Sequence, residues 1–321
     1  MNTVRISPGR RLSPNGQGIF LSFTCFKAFL LLSMTSIAGQ SNVPTHNGIE
    51  YTRVGSRSLK LDLYLPAPSL LPCPLIVWVH GGGWRSGART EMPLSALVEM
   101  GYGVASVDYR LTPEAAFPAN VHDLKAAVRF LRAQAQRFGL QTTSVAIAGS
   151  SAGGHLAALV GVTNGHPSLE GNGGEDSSQS SAVQAIVSFY GASNLQSILG
   201  QSTAFGLTVR VPALQLLLGG QPVDRPSLAK LASPVAHIDA HDPPLMLIHG
   251  DQDPQMPIDQ SRELTRAYEQ HGLTVRFVPM PGSKHGGKEF YEAPRMQAVK
   301  EFLVEAGIAP RAIGTLSRPE P

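Results

Sequence analysis

From Leu59 onward the chain carries two kinds of apolar pattern. Leu59-Lys60-Leu61-Asp62-Leu63-Tyr64-Leu65 alternates residue by residue, the period of a strand with one buried face, and Pro66 ends it. Pro74-Leu75-Ile76-Val77-Trp78-Val79 and Gly103-Val104-Ala105-Ser106-Val107 are instead almost continuously apolar, as strands covered on both faces are. Between them Leu94, Leu97 and Val98 fall at helical spacing, which predicts a β-α-β unit. A longer helix is predicted from about Asn120 to Phe138. Val121, Leu124, Val128 and Leu131 form its apolar stripe, Asn120 and Asp123 lie at its start, and Gly139 is its stop.

The same alternation continues downstream. Ser144–Ala148 reads as a buried strand and Leu156, Ala157, Leu159 and Val160 as the helix after it. Val183–Tyr190, Pro244–Ile248 and Thr274–Val278 predict three more strands, with helices around Leu264 and Tyr268 and around Val299, Phe302 and Leu303. Strands alternating with helices predict an α/β fold, a mostly parallel central sheet with helices on both faces. At 321 residues and 42% hydrophobic composition, one large domain over 39–306 is expected rather than two.

In such a sheet ligands meet the carboxyl ends of the strands, so only strand-to-helix connections reach the chemistry. The Gly/Ser-rich tract Asn164–Ser181 joins a helix to a strand, and a solvated loop at the opposite end is expected. The long connection Gly191–Asp242 leaves a strand's carboxyl end. It carries Ile198, Leu199, Phe205, Leu207, Val211 and Leu214, more apolar surface than a plain loop needs, which predicts a cap or pocket wall. A poorly ordered tail is expected over 307–321.

Charge changes the picture at one end only. Residues 1–38 hold Arg5, Arg10, Arg11 and Lys27 and no acid, leaving 22 basic against 23 acidic groups in the remainder. The net charge of +3 therefore belongs to the leader, and no nucleic-acid surface is inferred. Basic residues, then the apolar stretch Ala28–Ile37, then Ser36-Ile37-Ala38 with small residues at the −3 and −1 positions, predict a secretory signal cleaved after Ala38. That would make the mature protein secreted or periplasmic, with no stable membrane partner. Because the apolar stretch extends upstream through Ile19, Phe20, Leu21 and Phe23, an uncleaved anchor is the alternative. Of the two cysteines Cys25 would leave with the leader and Cys73 would be unpaired, so neither a disulfide framework nor a thiolate metal site is expected.

The chemistry centres on Gly149-Ser150-Ser151-Ala152-Gly153. A G-x-S-x-G between a buried strand and a helix is a nucleophile elbow, which makes Ser151 the candidate nucleophile; a helix N-cap without chemistry fits the bare pattern equally. A reactive serine also needs a base, a carboxylate to orient it and donors for an oxyanion. His80-Gly81-Gly82-Gly83-Trp84 follows the strand ending at Val79, so the amides of Gly82 and Gly83 are candidate oxyanion donors together with that of Ala152, while His80 is expected to brace the loop. Downstream, His249-Gly250-Asp251-Gln252-Asp253 sets two carboxylates beyond a strand, either of which could orient a histidine, and His285 sits in the loop after the last strand. The order Ser, Asp, His is that of α/β-hydrolases rather than of chymotrypsin or subtilisin. His122 and His155, on helices, are expected to be structural or surface residues.

These pieces, with Asp108-Tyr109-Arg110-Leu111, Pro113-Glu114, Phe117-Pro118-Ala119, Ala232-Ser233-Pro234 and Asp253-Pro254-Gln255-Met256-Pro257, span about Leu59 to Leu303. Together they resemble α/β-hydrolases of the hormone-sensitive-lipase-like and carbohydrate-esterase branch, particularly the domain of bifunctional acetylxylan and feruloyl esterases. The resemblance implies a carboxylic ester hydrolase working through an acyl-enzyme. Its acid loop, H-G-x-x-D-x-x-V-P, selects Asp253 over Asp251. It implies short-chain or carbohydrate-linked ester substrates and neither metal nor organic cofactor. Two positions depart from the pattern: Ser150, where the branch commonly has Glu or Asp, and Asn194, where it often has Asp. A prolyl-oligopeptidase-like peptidase or amidase shares the Ser, Asp, His order, and a non-catalytic binding protein on the same scaffold is a third reading.

Overall fold

The computed structural model describes residues 43–311 apart from Glu175. The predicted leader with Cys25, and residues 312–321 of the predicted tail, lie outside the described residues. Eight strands, β1 (His46–Val54), β2 (Arg57–Tyr64), β3 (Cys73–Val79), β4 (Gly103–Val107), β5 (Leu140–Ser150), β6 (Ala185–Phe189), β7 (Leu245–Gly250) and β8 (Val275–Met280), form one sheet in the order β1-β2-β4-β3-β5-β6-β7-β8. β1 and β2 pair antiparallel, as do β2 and β4; every other pairing is parallel. Around the sheet lie α1 (Ser95–Glu99), α2 (Ala119–Ala133), α3 (Ala135–Phe138), α4 (Ala152–Gly161), α5 (Pro167–Glu170), α6 (Ile198–Gln201), α7 (Ala204–Leu218), α8 (Pro226–Leu231), α9 (Asp259–Gln270) and α10 (Ala293–Glu305).

The continuously apolar strands divide their side chains between two cores, as a doubly covered sheet requires. Leu75, Val77 and Val79 of β3 pack in a core with Val121 and Leu124 of α2 and Leu156 of α4. Ile76 and Trp78 face the other way, into a core with Leu97 of α1 and Phe302 of α10. Each such burial contributes about 1.5–3 kcal/mol relative to exposure. β3 lies between β4 and β5, so the chain proceeds first to one side of β3 and then to the other. At this reversal the loops after β3 and β5 diverge and leave a crevice at the carboxyl ends of the strands. Among the described residues no helix is long and apolar enough to cross a membrane.

Three local expectations are corrected, and one strand lies where no pattern predicts it. β1 gives no alternation signal because it is an edge strand with only Tyr51 and Thr52 buried and with irregular register against β2. The single helix expected to reach Phe138 divides at Gln134 into α2 and α3, and Gly139 stops it in the left-handed conformation (φ 65°). The tract Asn164–Ser181 is more than a solvated loop. It contains α5, whose Glu170 forms ion pairs with Lys125 and Arg129, both buried on α2. Within the expected tail, Ile308 is buried and its carbonyl accepts a hydrogen bond from Tyr102 Oη at 2.9 Å, so the order of the domain extends past residue 306.

Candidate active site

β5 runs into Ser150, and the chain reverses at Ser151 into α4. Ser151 adopts φ 54°, ψ −118°, outside the regions a side chain ordinarily favours, and its amide donates to the Phe189 carbonyl at 2.9 Å. Gly153 is required for close approach: a Cβ there would meet the Val79 carbonyl oxygen at 2.1 Å. The elbow is thus pressed against the end of β3, beside the loop that follows that strand.

His285, beyond β8, places Nε2 at 2.8 Å from Ser151 Oγ. Its Nδ1 lies 2.6 Å from Asp253 Oδ2. A carboxylate can only accept here, so Nδ1 carries the proton and Nε2 presents a lone pair to the serine hydroxyl. The other Asp253 oxygen accepts from the amides of Gln255 and Met256, both at 2.8 Å, which fixes the carboxylate within its own loop. The two carboxylates left open by the sequence separate cleanly. Asp251 accepts the Gly282 amide at 2.7 Å and ties the loops after β7 and β8 together.

His249 also belongs to this constellation, although its position before the acid gave no reason to place it there. Its Nε2 faces the Met256 carbonyl at 3.0 Å and Asp253 Oδ2 at 3.3 Å, so Nε2 is the protonated nitrogen; Nδ1 accepts from Ser261 Oγ at 2.7 Å. Burial opposes the Asp253 charge, but hydrogen bonds from His249 and His285 overcome it and hold the carboxyl well below the usual carboxylate range.

The glycine loop after β3 is braced from three directions. Tyr109 Oη donates to the His80 carbonyl at 3.0 Å, and the two rings stack at 4.5 Å. Arg110 grips Asp123 of α2, while the Thr112 amide donates to the Trp84 carbonyl at 2.8 Å. Trp84, fully buried, donates from Nε1 to His155 Nδ1 at 3.1 Å, and His155 Nε2 donates to the Ala232 carbonyl at 2.7 Å. Burial, with the charge of nearby Arg210, pushes His155 down to about 4 against the opposing hydrogen bond to Ala232. Gly82 sits at φ 102°, where a Cβ would meet the Ser86 carbonyl oxygen at 2.2 Å. No hydrogen bond among the described residues engages the amides of Gly82, Gly83 or Ala152.

A cavity of about 400 Å³ opens onto Ser151 and His285 between the glycine loop and α7, which contributes Val209, Arg210 and Ala213. The apolar connection Gly191–Asp242 therefore walls this cavity. α7 itself was not legible as a helix because apolar residues surround it and Pro212 lies inside it. Its N-cap Thr203 hydroxyl donates to the Pro254 carbonyl at 2.8 Å, which couples the helix to the acid loop. A second cavity, about 370 Å³, lies beyond Ser150 against Trp78, Met92, Pro93 and Tyr291. Ser150 thus lines both cavities. Asn194, the other departure, turns instead to Glu263 on α9. Tyr190, at the end of β6 with φ 40°, packs T-shaped against His285 with the ring centres 4.8 Å apart; its place at a strand's carboxyl end was the available signal.

The sheet order, the strained serine at the β5–α4 turn and the two-sided crevice define an α/β-hydrolase. The BD-FAE family model matches residues 61–268, and the chain belongs to that family. The match includes Ser151 and Asp253 and ends before His285. Esterase LipQ of Mycobacterium tuberculosis is 33% identical over 239 residues, covering 72% of this chain and 55% of that protein. Esterase LipC of the same organism is 33% identical over 67% of this chain and 53% of its own length. The chain spans about half the length of these curated relatives. Among solved structures, a truncated form of a carbohydrate esterase from gut microbiota superposes with a TM-score of 0.72 at 28% identity, covering 81% of this chain and 94% of that one. Propionate-bound esterase 2 of Thermogutta terrifontis does so with a TM-score of 0.68 at 29% identity, covering 84% and 97%.

Proposed function

We propose that the protein is a serine carboxylic ester hydrolase that works through an acyl-enzyme. The observation that carries this reading is the continuous relay from Ser151 Oγ through His285 to Asp253, with contacts of 2.8 and 2.6 Å. Ser151 Oγ attacks the ester carbonyl carbon while His285 Nε2 takes its proton. The carbonyl oxygen becomes an alkoxide within reach of the Gly82, Gly83 and Ala152 amides, donors that need no reorganisation; one such donor is worth about 3 kcal/mol in the transition state. His285 then passes its proton to the departing alcohol. Water repeats the sequence on the acyl-enzyme, with the same imidazole as base, and releases the carboxylic acid. Asp253 holds the imidazole in the tautomer that makes both transfers possible.

Membership of the BD-FAE family and the likeness to a carbohydrate esterase support acyl groups on carbohydrate or other small alcohols as substrates. The cavity at Ser151, about 400 Å³, matches a small ester or one sugar unit better than a long acyl chain. With 4-nitrophenyl acetate, Ser151→Ala is expected to lower kcat by at least about 10³-fold while the circular dichroism spectrum is unchanged. Turnover like that of the wild type would overturn the reading. A matched 4-nitroanilide separates it from the peptidase alternative, because an ester hydrolase turns over the ester far faster than the amide.

A further inference from the structure

Arg210, on the cap helix α7, is 3% exposed and reaches the wall of the cavity that holds Ser151 and His285. A buried guanidinium is ordinarily matched by a carboxylate, because an unpaired interior charge costs several kcal/mol, on the order of the penalty for a desolvated ion. Here no carboxylate among the described residues lies within 4.0 Å of it. Its Nη2 donates to the Gln255 carbonyl, and its Nε is buried with no partner. Asp253 attracts it through space, but that carboxylate is already engaged by His249, His285 and two amides.

The cavity adds a second cation. Arg85, exposed on the glycine loop, lines it and forms no ion pair among the described residues, whereas Glu91, at the junction with the second cavity, is the one carboxylate of the described residues along its wall. The second cavity is walled by Trp78, Met92, Pro93 and Tyr291 together with Thr90, Glu91 and Ser150, and no cation of the described residues lines it. The cavity at Ser151 thus carries two cations, and the one beyond Ser150 carries none.

We propose that Arg210, assisted by Arg85 at the rim, binds a carboxylate carried by the substrate, so that the preferred esters are anionic: half-esters of dicarboxylic acids, or esters of alcohols that bear an acid group, such as uronic acids. The inference rests on the ester-hydrolase reading and narrows its substrate class. The guanidinium matches a carboxylate, and Nη1, which makes no hydrogen bond among the described residues and is not sealed off as Nε is, is the donor left for it.

Two matched pairs of esters test this and distinguish the two placements of the acid. The monoester 4-nitrophenyl hydrogen adipate against 4-nitrophenyl hexanoate puts the carboxylate on the acyl side; 4-acetoxybenzoate against phenyl acetate puts it on the alcohol. The readout is the ratio of kcat/KM, anionic over neutral, in wild type and variants, where each ester's intrinsic reactivity cancels. Arg210→Gln is expected to lower this ratio at least tenfold in one pair, Arg210→Lys to lower it less, and Arg85→Gln to lower it a few-fold. A guanidinium that merely props up the acid loop would slow both members of a pair alike, and unchanged ratios would overturn the assignment. If Arg210→Gln does not fold, inhibition of the wild type decides: benzoate binding at least tenfold more tightly than benzamide supports the proposal, and equal binding overturns it. Failure of the wild type to turn over any of the four esters would overturn the ester-hydrolase reading itself, and this inference with it; turnover with unaltered ratios would remove only the role of Arg210.

Discussion

The two ends of the sheet treat buried charge in opposite ways. At the amino end, where α4 hands the chain to β6, Lys125 is fully buried yet its Nζ lies 2.5 Å from Glu170 Oε1, and the same carboxylate takes Arg129, Ser181 Oγ and the Gly165 amide. Desolvation opposes the Glu170 charge, but these partners outweigh it and lower its pKa. At the carboxyl end, beneath the cap, Arg210 is about as buried and has no carboxylate within 4.0 Å among the described residues, and burial pushes it down to about 10. Its neighbour His155 is kept neutral. The first arrangement closes on itself and serves the fold. The second is incomplete without something from outside, and it faces the nucleophile.

The largest expected effect lies at the amino end. Glu170→Ala strands two buried cations, and a loss of about 3 kcal/mol, several degrees in Tm, is expected by thermal unfolding. A change below about 0.5 kcal/mol, the range of an ordinary surface substitution, would break the contrast. Next comes acid sensitivity under the cap. The folded-state pKa of His155, about 4, lies below the unfolded value of 6.5, so the unfolded chain binds more protons between these limits. The stability His155 contributes is therefore complete above about pH 6.5 and is lost as pH falls towards 4, on the order of 3 kcal/mol in total. The depressed pKa of Asp253 acts with the same sign at still lower pH. Urea unfolding at pH 7.5, 5.5 and 4.5 reads this slope, and His155→Gln is expected to flatten it above pH 4.5; an unchanged slope would contradict the buried neutral tautomer. The smallest effect belongs to Arg210→Met. Met keeps the bulk and relieves the desolvation of the charge but loses the hydrogen bond to the Gln255 carbonyl, so the net change in stability is expected to be below about 1 kcal/mol, far less than for Glu170→Ala.

The part of this architecture that fills both cores was legible in the chain, because full burial demands apolar continuity: β3, β4 and β5 lie where their runs fall. The residues of the relay were legible for a different reason. Topology admits only strand-to-helix loops to the crevice, and Ser151, Asp253 and His285 each stand in one. What the pattern could not convey depends on long-range partners. β1 is half-exposed and borrows its order from β2, and α7 is apolar on every side. The role of His249 rests on a contact with Asp253 that spacing alone does not reveal. The ion pairs of Glu170 with α2 are likewise invisible in a tract that reads as Gly and Ser.

The central claim is that Ser151 is a nucleophile activated by His285, and covalent trapping tests it most directly. Wild-type protein treated with a fluorophosphonate and digested for mass spectrometry is expected to carry one adduct, on the peptide containing Ser151. The adduct should be absent from Ser151→Ala and should form at least about 10³-fold more slowly in His285→Ala. A folded wild-type protein that takes up no adduct at Ser151, or a His285→Ala variant that labels as fast as wild type, would contradict the account.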